Sequence, residues 1–380
     1  MDTDTDIATI RVSEPRELLA FIPHRMGFRP RESAVLVSLR PPRGEVGLVM
    51  RVDLADLADP LVGPQLARSA ITTLDGDGAR RVMGVLYTDG PDPRGRSSTV
   101  HDAAEHVREA AGGPFGGIEL HVVTRDGYLE LDCTDDECCP HGGRPLRELE
   151  ATQVGAHMVL AGSAVASSRD ELVSRRRAPE QARRSVSRVR RRWEARRIEA
   201  WSSGSEAVGD WRAGSVAAWR AAVAHVETAT VARSAPWGRL EAGLADRRVR
   251  DAVLVSFVPG TGELAERCVR GIVPDPADDV AMSRALRRIM DADVGVRPPR
   301  DACRTHEAAL EAVVAHGRAG HQAPALTLLA VLSWWRGDGA RTQILLERAL
   351  RDDPDYRLAL MLVELVSTAV GPGWARRAVA

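Results

Sequence analysis

The sequence predicts an α/β domain followed by an all-helical one, on three observations. Short apolar runs of strand type alternate with helical periods from Ile7 to about Ser168, and strands interleaved with helices of ten or more residues make an α/β layer structure with a mixed, partly parallel sheet. Between Arg175 and Arg197 lie eleven arginines against only Glu180 and Glu194. From about Asp210 the strand signal fades and alanine-rich helical periods take over, broken at Pro236, Pro259, Pro274, Pro298 and Pro354. The predicted division is residues 1–172 as the α/β domain, 173–205 as a basic amphipathic linker helix and 206–380 as the helical domain.

In the first domain, Ser13-Glu14-Pro15 starts a helix with a polar cap, an acidic first turn and a proline whose missing N–H costs nothing there. That helix runs to Gly27. Ala34 to Leu39 and Val46 to Leu54 read as strands joined by a Pro41-Pro42-Arg43-Gly44 hairpin loop. Helices over Leu61–Leu74 and Val100–Ala111 alternate with strands at Val82–Tyr87, Ile118–Val123 and Tyr128–Leu131, and Ala151–Ala166 reads as a closing helix. No G-x-G-x-x-G follows a strand, so a dinucleotide fold with that fingerprint is not expected. In the arginine-rich segment Ala182, Val186, Val189, Trp193 and Ala200 share one helical face, which lets the segment bury a stripe. Farther on, Val253–Val258 fits either a buried strand or a helix turn and is taken as helix from its neighbours. Near the C-terminus Leu326, Leu329, Ala330, Gly337, Ala349 and Pro354 have the spacing of one degenerate tetratricopeptide-like hairpin, with Thr342 where that pattern has alanine.

Composition excludes several classes of function. The 380 residues carry 52 basic and 53 acidic side chains and are 44% hydrophobic and 28% charged, which describes a globular protein with no bias toward polyanions. Every basic residue except histidine is arginine, since lysine and asparagine are both absent. A Schiff-base lysine, a phosphate-loop lysine and a kinase-type lysine are therefore impossible. The same usage fits coding bias in a GC-rich genome, which weakens arginine density as a sign of nucleic-acid binding. The N-terminus lacks the pattern of a secretory signal, and the longest apolar run, Ala323–Trp335, is well short of the ~20 residues of a membrane span. A cytoplasmic protein with no membrane contact is the expectation.

Two places have residues suited to chemistry. Cys133, Cys138, Cys139 and His141 offer four soft or borderline ligands, the number that a structural zinc takes. No C-x-x-C pair is present, adjacent cysteines do not easily face one ion, and Asp135, Asp136 and Glu137 oppose thiolate formation. The expectation is a structural loop with buried thiols, no stoichiometric metal and no cofactor. The second place is the set of residues after the central strands, Asp53, Thr88-Asp89 and Arg125-Asp126. If those strands run parallel, their carboxyl ends share one rim, where open α/β sheets bind ligands. The plainer use of such aspartates is to cap the next helix or close a turn.

Several stretches together resemble an uncharacterised actinobacterial family known only as domain of unknown function 4192. They are Glu17-Leu18-Leu19-Ala20-Phe21-Ile22-Pro23, Gly27-Phe28-Arg29-Pro30-Arg31-Glu32-Ser33, Arg51-Val52-Asp53-Leu54 and Tyr87-Thr88-Asp89. The likeness continues through Cys133, Cys138-Cys139-Pro140, Gly143-Arg144-Pro145, Ser168-Arg169-Asp170-Glu171-Leu172, Trp335-Arg336-Gly337-Asp338-Gly339 and the Ala349–Tyr356 stretch. The resemblance implies an actinobacterial, cytoplasmic protein and marks Ser33, Arg51, Asp53, Tyr87, Asp89 and the clustered cysteines as matching positions. It implies no reaction. His141 stands where the family pattern more often has proline.

The functional expectation is a non-catalytic binding or regulatory protein whose helical domain engages a protein or peptide partner. The alternatives are an enzyme with its site at the sheet rim around Ser33, Arg51, Asp53 and Asp89, and nucleic-acid association through Arg183–Arg197. The arginine helix lacks aromatic interleaving beyond Trp193 and Trp201, so nucleic acid is not the expected partner.

Overall fold

A computed structural model describes residues 14–42, 44–90, 94–95, 98–160, 165–166, 177–228, 234–270, 275–367 and 370–377. The chain divides into two compact units, residues 1–172 and 173–380.

The first unit opens with α1 (Pro15–Met26), which starts on its proline and stops where Gly27 takes a left-handed conformation at φ 75°. Glu14 occupies the cap position, and Ser13, the expected cap, lies outside the described residues. β1 (Ser33–Arg40) and β2 (Glu45–Asp53) form the expected hairpin, and α2 (Leu54–Ala58) follows at once. Then come α3 (Gly63–Gly76), β3 (Arg81–Tyr87), α4 (Thr99–Phe115), β4 (Glu119–Val123), β5 (Gly127–Glu130), β6 (Arg144–Pro145), α5 (Arg147–Glu150) and α6 (Gln153–Leu160). The helix expected over Ala151–Ala166 is shorter than that. Residues 161–164 lie outside the described set, and Ala166 is extended, accepting the Arg29 N–H at 3.0 Å and donating its own to the Gly27 carbonyl at 2.8 Å.

The sheet order is β2-β1-β3-β4-β5-β6. Among the described strands β3 and β4 pair parallel and each other neighbouring pair is antiparallel, so the sheet is mixed and partly parallel, as expected. The shared rim forms. β1 runs against both of its neighbours, so β2, β3 and β4 still point the same way, and their carboxyl ends meet the amino end of β1. Alternation divides the strands cleanly between two faces. Ala34, Leu36, Val82, Leu86, Leu120 and Val122 pack in one cluster with Leu54, Leu57, Ile71, Leu74, Val100 and Val107 from α2, α3 and α4. Ser33, Val35, Val85, Tyr87 and Val123 take the opposite face.

The second unit contains α7 (Glu180–Ser203), α8 (Ser205–Thr228), α9 (Ser234–Gly243), α10 (Arg247–Val255), α11 (Leu264–Arg267), α12 (Pro276–Met290), α13 (Arg300–His316), α14 (Ala323–Trp335), α15 (Gly339–Asp352), α16 (Arg357–Ser367) and α17 (Gly373–Arg377). No strand occurs among its described residues, and Val253–Val255 complete α10 before the chain turns at Ser256. All eight tryptophans lie here. Their ring N–H groups tie helices to loops: Trp193 donates to Ser215 Oγ at 2.9 Å, Trp219 to Ser256 Oγ at 2.9 Å and Trp335 to the Val296 carbonyl at 3.0 Å. Trp334-Trp335 is thus core packing. α14 and α15 form a helical hairpin turned at Gly337 (φ 79°), with Leu326, Leu329, Ala330 and Ala349 buried and Thr342 donating its hydroxyl proton to the Asp338 carbonyl. No helix among the described residues is long and apolar enough to cross a membrane.

Along α7 the buried stripe is Val186, Arg190, Trp193 and Ala200. Periodicity finds the apolar members but not Arg190, whose guanidinium pairs with Glu194 and lies 3.8 Å from the equally buried Glu241 of α9. Other arginines of this helix stack on rings: Arg196 over Trp193 at 5.5 Å and Arg197 over Trp201 at 5.9 Å. Burial pushes the Glu241 carboxyl up from 4.5 to about 7, with Glu194 and Asp352 adding to the push and the Arg318 amide and Arg190 opposing it. The folded chain therefore retains a proton that the unfolded chain releases. The stability this contributes is fully present below pH 4.5 and is lost as pH rises through about 7. Relative to Glu241→Gln, the unmutated chain is expected to lose about 1–3 kcal/mol across that window, read by tryptophan fluorescence in urea. A difference that stays flat or grows with pH would show that the Arg190 pairing dominates.

Candidate functional site

The rim is assembled by sheet register. Asp53 is paired with Ser33, Ser33 with Tyr87, Tyr87 with Val123, Val123 with Tyr128 and Tyr128 with Arg144, so one rung crosses every strand at this edge. Partners in a rung project to the same face, a few ångströms apart. Glu32, immediately before β1, locks the strand ends together. Its carbonyl accepts the Leu54 N–H at 3.0 Å, while its carboxylate accepts the Asp89 N–H at 2.7 Å and the Thr88 hydroxyl at 3.3 Å. To do so it takes a left-handed backbone at φ 39°, unusual for a residue with a Cβ. Three strand ends are thereby held by one residue.

The anticipated rim residues separate into two groups. Arg51 donates to Asp53 at 2.6 Å, so the Asp53 carboxylate is engaged by an arginine and makes no side-chain cap to α2, although it occupies that helix's cap position. Ser33 is fully buried, and its hydroxyl has no hydrogen-bond partner. Among the described residues no base stands within hydrogen-bond reach to activate it as a nucleophile. Asp89 lies farther out, 3.7 Å from Arg125. Of Ser33, Arg51, Asp53 and Asp89, the four side chains of the enzyme alternative, only Asp89 lines the cleft described next.

That cleft, of about 570 Å³, opens at the carboxyl ends of β3 and β4. Its floor includes Tyr87 and Val123, its walls are Leu19 and Pro23 of α1 with Leu149 of α5 and Gly155 of α6, and Arg29, Arg31 and Arg125 stand around it with His24, Asp89 and Glu150. Glu150 holds Arg29 at 3.3 Å, and Asp89 lies near Arg125, but Arg31 has no carboxylate partner among the described residues. Three arginines and two carboxylates line the cleft, and the Glu32 carboxylate is bonded to Thr88 and Asp89 beside them. Burial, then the charge of Arg29, lowers the His24 pKa below its ordinary value. Tyr87 is only 6% exposed and its hydroxyl has no partner among the described residues, while burial raises its pKa far above the ordinary phenol value. The phenol is a fixed neutral donor. Arg29, Arg31 and Tyr87 stand within the stretches that carried the family resemblance, but sequence alone did not assign them to a site. A loop arginine signals nothing until the fold brings it to a strand end.

The cysteine loop folds differently from expectation. Cys133, Cys138 and Cys139 bring their sulfur atoms within 4.8 Å of one another, adjacency notwithstanding, and all are free thiols. Cys139 is buried, Cys133 partly buried against the α2–α4 face and Cys138 exposed. His141 is exposed and stands outside this group. None of the cysteines lines the rim cleft.

The Glu32 anchor carries a stability test. Glu32→Ala removes charge-assisted bonds that contribute about 1–2 kcal/mol at an exposed position and keeps the left-handed strain. Glu32→Gly loses the same bonds but adopts φ 39° without a Cβ, so it is expected to be about 0.5–1 kcal/mol less destabilised. Hydrogen exchange of the β1 and β3 amides in the full chain measures both. Equal protection in the two variants and the unmutated chain would show that the anchor contributes nothing.

The family model described as domain of unknown function (DUF4192) matches residues 15–373. No curated protein and no solved structure matches the chain.

Proposed function

The chain belongs to the DUF4192 family, and we propose that it is a non-catalytic binding protein whose first unit holds a small anionic molecule in the rim cleft. The observation that carries this reading is the cleft itself. It has the volume of small-molecule sites, which run from about 300 to 1,000 Å³. It sits where strand ends leave polar groups for a ligand, and it combines three arginines with a buried, unpartnered phenol. A buried hydroxyl without a partner costs about 1–3 kcal/mol, a cost that a ligand oxygen accepting from it would remove. Arginine forks match phosphate and carboxylate oxygens. The enzyme alternative finds less support, since Ser33 has no base and the Arg51–Asp53 pair is turned on itself.

The second unit is read as the partner surface for a protein or peptide, with Ala323–Asp352 as a single tetratricopeptide-like hairpin. Leu360, Met361 and Val363 of α16 support this, being large apolar side chains left exposed next to that hairpin in sequence. Nucleic acid is not the proposed partner, because buried Arg190 and the ring-stacked Arg196 and Arg197 are committed to packing. Five free thiols support a reducing cytoplasm, and the absence of lysine and asparagine supports a GC-rich actinobacterial source.

Tyr87→Phe separates ligand binding from folding. Removing an unpartnered buried hydroxyl is expected to stabilise the free first unit by about 1 kcal/mol, while weakening anion binding about tenfold. Calorimetric titration of the full chain with phosphate, pyrophosphate, citrate and a nucleoside monophosphate, against neutral sugars, reads the affinity. Arg31→Ala is expected to weaken the same anions without stabilising the fold. No heat with any anion, or equal affinity in Tyr87→Phe, would contradict the proposal.

A further inference from the structure

The segment between β5 and β6 turns three thiols toward a common point. Asp135 organises the turn: its carboxylate accepts the Glu137 N–H at 2.9 Å and the Cys138 N–H at 3.4 Å, and its carbonyl accepts the Cys139 N–H at 2.7 Å. Gly143 then closes the loop at φ 79°, where a Cβ would lie 2.9 Å from the Tyr128 carbonyl oxygen. The result places the Cys138 and Cys139 sulfurs 3.9 Å apart, with Cys133 inside the same 4.8 Å group. Thiolates bound at about 2.3 Å around a tetrahedral zinc are separated by about 3.8 Å. The Cys138 and Cys139 sulfurs therefore stand near ligand spacing.

We propose that Cys133, Cys138 and Cys139 bind one zinc ion through three thiolates, with the fourth position on the solvent side beside exposed Cys138. Two further observations support a metal over a disulfide or inert thiols. The Glu130 amide donates to Cys139 Sγ at 3.4 Å, the outer hydrogen bond that orients a sulfur ligand. Consecutive Cα atoms are about 3.8 Å apart, short of the usual range for a disulfide, so the 138–139 pair is poorly placed to oxidise to a vicinal bridge. Three thiolates this close oppose one another's ionisation. A dication reverses that opposition and releases protons on binding. Asp135, Asp136 and Glu137 on the same turn favour a doubly charged ion over a monovalent one such as Cu(I). The interposed carboxylates, which oppose free thiolates, assist a dication.

The test uses the full chain expressed with zinc and copper available and purified without chelator. Elemental analysis is expected to return about one zinc per chain, lost in Cys138→Ser and in Cys133→Ser and kept in His141→Ala. Alkylation followed by mass spectrometry is expected to find these three thiols protected in the unmutated chain and released by a chelator, a readout that needs no variant. Zinc well below stoichiometry with freely alkylated thiols, stoichiometric copper, a disulfide within the loop, or zinc retained after Cys138→Ser would each overturn the proposal.

Discussion

The edge of the sheet in the first unit depends on what Glu32 does with one backbone carbonyl and one carboxylate. β2 and β3 are not neighbours; β1 lies between them, and Glu32 bonds to the residue after β2 and to the residues after β3. Their ends are thereby fixed in register, which places Asp53, Ser33, Tyr87 and Val123 on one rung. The cost is a left-handed residue at an exposed position, about 1 kcal/mol, against a charge-assisted bond to a strand-end amide. A backbone strained in this way persists where surrounding bonds fix it, and here they fix the floor of a cleft.

Much of this fold is legible in the sequence because its signals are local. Apolar runs such as Ala34–Leu39 and Val82–Tyr87 name strands, and Gly27 names a helix end. Strand order is not local. That β1 sits between β2 and β3 is a statement about pairing, and alternation alone cannot give it, so the shared direction of β2, β3 and β4 was anticipated but not the antiparallel strand inserted among them. Similarly, the periodicity of α7 picks out Val186, Trp193 and Ala200, while Arg190 is buried because a carboxylate on another helix meets it. Partners across the fold decide such positions, and spacing along one helix does not show them.

The same division applies to the sites. The residues after the strands were visible as a pattern, and Thr88, Asp89 and Arg125 of that set line the cleft while Asp53 does not; Arg29, Arg31 and Tyr87 join them there. In the cysteine loop the residues were all visible and their geometry was not. Adjacent side chains on an extended chain diverge, but the Asp135 turn rotates the backbone between Cys133 and Cys138 so that three sulfurs converge. His141, which the sequence offers as a candidate fourth ligand, is exposed on the same loop.

An anion held between strand ends and α1 would contact the side chains that line the rim cleft. A crystal structure of the full chain grown with the tightest-binding anion from the calorimetric panel measures this directly. The ligand is expected in the rim cleft, accepting hydrogen bonds from the Tyr87 hydroxyl and from at least one of Arg29, Arg31 and Arg125. Ligand bound elsewhere with the cleft unchanged, or bound in the cleft without touching Tyr87 or those arginines, would contradict the assignment.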